Sequence, residues 1–251
     1  MDPRRDPSQP HLAATSEAAY FDALVRSEGD FDPFTASGWE TIRRSFEALI
    51  RPGAGLRVLD IGCGTGQSRK LYIDHAASYV GVDLAGEALE RARARFPSDT
   101  WQLADARALP FADGSFDLVC FSSVLHHIPD FGEALREGRR VLAQGGQVFA
   151  FDPNLLNPVM ATFRHPRSPL YTDKGVSPNE APLLPRRLRH AFGEAGFSQI
   201  RQHAQSDIAY REVAPRLLNA GLQVFNLVDH VFERAGLGRW FGTFVLTAGA
   251  R

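Results

Sequence analysis

The sequence predicts an α/β domain built on a mostly parallel sheet. Three observations carry that reading. Short apolar runs alternate with helical patterns between Arg57 and Phe151, a glycine-rich loop ends the first run, and 44% of the 251 residues are hydrophobic. That length suits one large α/β domain or two small ones. Charged residues make up 23% of the chain and the net charge is −1, which argues against a whole-protein electrostatic grip on nucleic acid. The two cysteines, Cys63 and Cys120, cannot build a disulfide framework, so a reduced, cytoplasmic setting is expected. The N-terminal segment lacks the apolar run of a signal peptide. No window approaches the roughly 18 apolar residues of a membrane span, so no integral membrane association is expected.

Along the chain, residues 1–16 contain three prolines and mixed charge and are expected to be disordered. Residues 17–251 read as a single domain in three parts, 17–54, 55–152 and 153–251. The first part is helical, with Tyr20, Leu24 and Val25 on one face and Ile42, Phe46, Leu49 and Ile50 on another. The loop Gly29–Phe34 between them has aromatic character and reads either as a plain helix connection or as a lid. Strands are expected at 57–61, 79–83, 100–103, 116–121 and 147–151, with helices at 67–75, 87–96 and 131–142. Gln144-Gly145-Gly146 reads as a glycine stop to the last of these helices. Seven prolines then fall between Pro153 and Pro185 with little periodicity, the pattern of a mobile cap. A helix at 185–195, a strand at 197–203, a helix at 215–235 and a strand at 244–248 complete the chain. The stripe Leu218, Leu222, Phe225, Val228, Phe232 and Ala235 reads first as core packing or a homodimer contact, and second as a lipid contact.

The most informative segment is Val58-Leu59-Asp60-Ile61-Gly62-Cys63-Gly64-Thr65-Gly66-Gln67. Glycines there allow a sharp turn and a close ligand approach. The spacing is G-x-G-x-G, whereas a dinucleotide loop is G-x-G-x-x-G. Asp60 at the strand end would repel a pyrophosphate and suits a cationic amine. Asp83, 21 residues after Gly62, stands where a carboxylate accepts two bonds from a ribose diol. A ligand with a ribose, a positive charge and no phosphate fits better than NAD does.

These residues resemble the class I S-adenosylmethionine-dependent methyltransferases, in the broad group of ubiquinone/menaquinone-type and small-molecule enzymes. Val58–Gly66 is similar to that family's first motif and Val82-Asp83-Leu84 to its second-strand acidic position. Leu103–Phe111, Ser115–Phe121, Ser122–Asp130 and Leu135–Phe149 follow its later segments in order. The resemblance covers roughly residues 55–152. It implies a Rossmann-like sheet of seven strands, the last antiparallel, with helices on both faces and a helical or loop cap over an acceptor pocket. S-adenosyl-L-methionine is the implied cofactor and a small molecule the implied acceptor. Gly62, Gly64 and Gly66 would line the methionine end, with Asp60 engaging its amine directly or through water. Asp83 would take the ribose hydroxyls and Leu84 lie against the adenine. Asp105 would accept from the exocyclic amine while the Ala106 N–H donates to the ring. The Phe121 backbone and Ser122 would border the amine and sulfonium. Asp117, in a turn before the fourth expected strand, reads as structural.

Sulfonium chemistry needs mainly alignment and exclusion of water. A base helps where the acceptor proton has a pKa well above 7. His126 and His127, following the fourth strand, are the catalytic candidates, with no choice between them, and His165 is a weaker one. Adjacent residues on a helix point in divergent directions, and no Cys, His or carboxylate spacing of a metal site is present. Residues 153–201 hold seven Lys or Arg against three acids, which reads as a solvated helix face before an attractor of acidic acceptors. A lipid, quinone or glycan acceptor, or a cofactor-binding module without catalysis, are the alternatives.

Overall fold

Val58, Leu59 and Ile61 are buried, as a strand covered on both faces requires. They belong to β1 (Leu56–Ile61). The other strands are β2 (Ala76–Asp83), β3 (Thr100–Leu103), β4 (Phe116–Ser122), β5 (Leu142–Pro153), β6 (Ser198–Gln205) and β7 (Phe244–Ala250). The computed structural model describes residues 10–30, 32–165, 167–169, 177–212 and 221–251. One seven-stranded sheet has the order β3-β2-β1-β4-β5-β7-β6. Strands β1 to β5 pair in parallel, and β7 runs antiparallel to both β5 and β6. The winding direction reverses between β1 and β4, which opens a crevice at their carboxyl ends.

Helices cover both faces. On one, α2 (Ala36–Ile50) and α3 (Gly86–Arg95) set Ile42, Phe46 and Leu89 against Tyr79, Phe149 and Leu246. On the other, α4 (Phe131–Val141) and α6 (Pro185–Glu194) set Leu135, Leu188 and Phe192 against Leu59, Val119 and Val148. The first helix, α1 (Pro10–Glu28), lies on α3 through Phe21, Val25, Ala85 and Ala88. Its residue Asp22 accepts the Glu87 N–H at 2.9 Å and so caps α3, which has no side-chain cap of its own.

The expected strands and most helices are present, and the differences have local causes. Helix α1 begins at Pro10, inside the segment expected to be disordered; residues 1–9 lie outside the described residues. The expected helix at 67–75 is two 3-10 turns, Gln67–Leu71 and Ile73–His75. Ser68 and Tyr72 turn their hydroxyls inward there, onto Asp60 and Ser122. The Gly145-Gly146 pair does not end a helix ahead of the strand. It lies within β5, with Gly145 at φ 75 and a register shift opposite Phe116/Leu118. Phe34 is buried against Trp39, Tyr210 and Phe244, so this part of the 29–34 loop belongs to the core; Phe31 lies outside the described residues.

The proline-rich segment is partly ordered. Asn157 caps α5 (Pro158–Arg164) by accepting from Val159 and Met160 N–H at 3.0 and 3.3 Å. Ser177, Asn179 and Leu183 are buried, whereas residues 166 and 170–176 lie outside the described residues. In α7 (Leu222–Arg234) the expected apolar stripe is divided: Leu222, Phe225 and Phe232 are half-buried, whereas Val228 and, just past the helix, Ala235 are exposed. Asp229 is buried and accepts the Asp207 N–H at 2.7 Å, while Val224, Leu227, Val228 and Val231 are exposed. Leu218 lies outside the described residues. The short α8 (Gly238–Phe241) adds exposed Trp240 and Phe241. Among the described residues no helix is long and apolar enough to cross a membrane.

Gly62 shows how tightly the loop is packed. It sits at φ 75, and a Cβ there would lie 2.3 Å from the Cβ of Val124. Left-handed strain and overpacking should together make Gly62→Ala less stable by on the order of 3 kcal/mol. Chemical denaturation checks this: a midpoint equal to wild type would show that the contact with Val124 is slack.

Candidate active site

The base of the site is a buried carboxylate. Asp60, next to last in β1, has no exposed surface. Ser68 Oγ and Tyr79 OH donate to its Oδ2 at 2.6 and 2.5 Å, and Ser122 Oγ donates to Oδ1 at 2.5 Å. With the Ser122 proton so committed, Ser122 Oγ accepts from Tyr72 OH at 2.9 Å. Burial pushes the Asp60 carboxyl up to about 6 against the opposing pull of these hydroxyls. Asp60 and Ser122 therefore come together as expected, but under the crevice floor. The Asp60 carboxylate is reached from the crevice only through this hydroxyl network.

Above this floor the glycine loop is tied to β2. Gly62 and Cys63 N–H donate to Val82 O at 2.9 and 3.2 Å. Asp83 accepts the Gly64 N–H on Oδ2 at 2.8 Å and the Ala85 N–H on Oδ1 at 2.9 Å. Burial raises the Asp83 carboxyl, opposed by these N–H bonds. Gly64 has φ 51, and nothing lies within 4 Å of the place its Cβ would take. Gly66 has φ 82, and its Cβ would meet Trp101 at 2.9 Å. Of the three glycines only Gly64 borders open space, beside the Asp83 carboxylate.

At the end of β3, Leu103 pairs in register with Asp83 and is 59% exposed, an apolar surface on the crevice rim that the pattern reading left unassigned. Leu84 is half-buried and Ala106 buried. The Asp105 carboxylate is gripped by Arg107, whose Nε lies 3.0 Å from Oδ1 and whose terminal nitrogen lies 2.6 Å from Oδ2. Phe121 buries its ring in the core and lends only its backbone to the floor. Asp117 holds Arg57 through its N–H, Nε and a terminal nitrogen, a structural contact.

His126 and His127 sit in the 3-10 turn Leu125–His127. Their rings do not diverge: the centroids are 3.9 Å apart at 43°. Each ring is drawn to its own acid instead of following helical geometry. His126 Nδ1 is 2.9 Å from Asp152 Oδ1, which also accepts the His126 N–H at 3.1 Å. Burial and the charge of His127 push His126 well down, while burial pushes Asp152 up to about 8. His127 Nδ1 lies 2.8 Å from Glu17 Oε1 of α1 and 2.8 Å from Ser177 Oγ. Burial pulls His127 down, but the Glu17 bond and the Glu180, Glu17 and Asp152 charges outweigh it, and its net shift is upward. His165 spends Nδ1 on the Arg167 N–H at 3.1 Å, within its own turn.

Three residues in contact with the histidine pair were not singled out from the sequence: Glu17, Ser177 and Asp152. The signal for Glu17 is its spacing, since it falls on the i, i+4, i+8 stripe with Phe21 and Val25. On α6, Arg186, Arg187 and Arg189 are exposed, the solvated face expected.

Asp60 also makes stability depend on pH. A carboxyl raised from 3.8 to about 6 contributes stability that is full below its unfolded value and lost as pH rises through the folded one. Relative to Asp60→Asn, the wild type should lose on the order of 3 kcal/mol between pH 4 and 7. Parallel denaturation curves for the two proteins across that window would contradict it.

Comparison with known proteins agrees with this geometry. Residues 59–150 match a family model described as a methyltransferase domain. The chain is 31% identical over 173 residues to the methyltransferase GfsG of Streptomyces halstedii, covering 55% of this chain and 62% of that protein. It is 34% identical over 153 residues to the ubiquinone/menaquinone biosynthesis C-methyltransferase UbiE of Desulfotalea psychrophila, covering 59% and 58%. The chain thus spans less than two thirds of the length of these curated relatives. An S-adenosylmethionine-dependent methyltransferase from Mesorhizobium loti has the same fold, with a TM-score of 0.59 and 21% identity over 83% of this chain and 96% of that one. Residues 59–150 thus match a methyltransferase domain, on a fold shared with S-adenosylmethionine-dependent methyltransferases.

Proposed function

We propose that the protein transfers the methyl group of S-adenosylmethionine to a small-molecule acceptor by in-line displacement. The observation that carries this reading is the open backbone at Gly64, bridged by its own N–H to the Asp83 carboxylate. The donor set fits the cofactor: two carboxylates flank the loop, and residues 62–67 carry no basic side chain for a pyrophosphate. When bound, S-adenosylmethionine supplies a methyl on a sulfonium that departs as a neutral thioether.

In this assignment the Gly62, Gly64 and Gly66 backbone holds the methionine end. Asp60 draws the amine through its hydroxyl network, with Ser122 and the Phe121 backbone beside it. Asp83 takes the ribose hydroxyls on lone pairs that Gly64 and Ala85 leave unused, and Leu84 lies against the adenine. Asp105, held by Arg107, accepts from the exocyclic amine while Ala106 N–H donates to the ring. The acceptor enters under α1 and the 177–184 segment, where His126 and His127 stand. Cys63 and Cys120, both buried thiols, suit the reducing cytoplasm.

The exposed apolar face of α7 and α8 favours a homodimer contact. The same face is the specific observation behind a second reading, in which the acceptor is a lipid-borne or quinone intermediate. Sedimentation with and without liposomes separates the two: a dimer that ignores vesicles supports the first, and a monomer that pellets with them the second.

Calorimetry with S-adenosylhomocysteine and with NAD tests the cofactor, and binding of NAD alone would overturn the reading. Asp83→Ala should cost about 2–4 kcal/mol of affinity for the adenosyl ligand, since charged acceptors make the stronger bonds. Gly64→Ala puts a methyl into the open space. It should weaken the ligand at least roughly tenfold while lowering the melting temperature by only about 2–8 °C, for a strain of about 1–2 kcal/mol. Transfer of labelled methyl into a metabolite pool identifies the acceptor. Tight binding with no transfer to any pool would favour a module without catalysis.

A further inference from the structure

Helix α1 reaches the site through one acidic side chain. Glu17 is 5% exposed and its two oxygens have separate duties. Oε1 faces His127 Nδ1 at 2.8 Å and also accepts from Ser177 Oγ. Oε2 accepts the Asn179 N–H at 3.0 Å. The His127 ring is wedged between Phe21, edge-on at 5.1 Å, and the His126 ring. A carboxylate facing Nδ1 requires a proton there, so the lone pair of the neutral ring lies on Nε2.

The other groups facing His127 are Glu180, Asp152 of β5, Asp83 of β2 and His126 of its own turn. All but His126 are acids. His126 is differently committed, with its Nδ1 and its backbone N–H both on one oxygen of Asp152. Neither ring's Nε2 bonds to an acid among the described residues. With its side chain 14% exposed against 6% for His126, His127 is the more open of the two. Its orientation depends on a helix more than 100 residues upstream.

We propose that Glu17 is the positioning residue of the acceptor base: it binds the Nδ1–H of His127, leaves Nε2 to take the acceptor's proton, and makes that pair only when α1 is docked on residues 177–179. The inference rests on the methyl-transfer reading. In the step, the acceptor atom forms a bond to the methyl carbon as its proton passes to Nε2. The C–S electron pair leaves on sulfur, and Glu17 offsets the positive charge of the resulting imidazolium. No oxidant, reductant or further reagent is required.

Nitrogen-detected titration of the histidines in the ligand-free full chain tests this without any acceptor, so its failure is distinct from failure of the methyl-transfer reading. The wild type should show His127 as the Nδ1–H tautomer with a midpoint above 6.5, the unperturbed value. In Glu17→Gln that midpoint should fall by about one pH unit or more, and Glu17→Asp should recover part of the shift. Ser177→Ala, which keeps the carboxylate, should keep the Nδ1–H tautomer. A wild-type His127 protonated on Nε2 overturns the proposal outright, whatever the variants' stability. So does an unchanged midpoint in Glu17→Gln. Once an acceptor is found, the acidic limb of kcat should move to lower pH in Glu17→Gln. The KM for S-adenosylmethionine should stay constant, a split that a merely structural role would not produce.

Discussion

A carboxylate with no access to water has to be satisfied by the protein, and Asp60 imposes that requirement on every element around the crevice. Its hydroxyl partners come from the 3-10 turn after the loop, from β2 and from the end of β4. Each of those segments is consequently fixed in register at the point where the sheet reverses its winding. The glycine loop spans the gap directly above, and its N–H groups are taken up by Val82 O and the Asp83 carboxylate. Loop geometry is therefore set from below by Asp60 and from the side by Asp83. A negative centre beneath the crevice also biases it towards a cationic ligand. The raised Asp60 carboxyl is the energetic cost of that arrangement.

The roof depends on α1 in the same way. Asp22 caps α3, Arg26 pairs with Glu87 at 3.1 Å, and Glu17 binds the 177–179 segment and His127. One helix thus touches α3, the 177–179 segment and the histidine turn. Burying Glu17 without partners would be prohibitive. With three partners it becomes specific, because each must be in place for the others to stay satisfied.

How much of this was legible follows from how local each feature is. The glycine loop, Asp83 and the seven strands are written in consecutive residues with a period or a motif, and they stand where the pattern puts them. The 3-10 turns at 67–75 could not be read, because the bonds of Ser68 and Tyr72 that shape them go to β1 and β4. Glu17 lies 160 residues from Ser177, so no window contains the pair. The helix at 222–234 shows the same limit from the other side. Its apolar stripe signals burial and Leu222, Phe225 and Phe232 are half-buried, yet Val228 turns out and Asp229 beside it is buried, accepting the Asp207 N–H. A cluster of donors, here the Asp207 and Ile208 N–H groups with the Ser206 and Thr243 hydroxyls, can outweigh the amphipathic pattern when the alternative is to bury them bare.

Two histidines at 3.9 Å raise a question of charge that the surrounding acids answer. Both rings protonated in a buried site would repel, so the site can hold one imidazolium at most. Which ring takes it depends on the acid at its Nδ1. Asp152 is wholly buried and pushed up to about 8, so it competes with the His126 ring for a proton. Glu17 meets His127 with Ser177 Oγ and the Asn179 N–H already donating to it. His127 is shifted upward and its charge pushes His126 down. The pair works as one titrating unit with an assigned end, and that assignment comes from the partners and not from the imidazoles themselves.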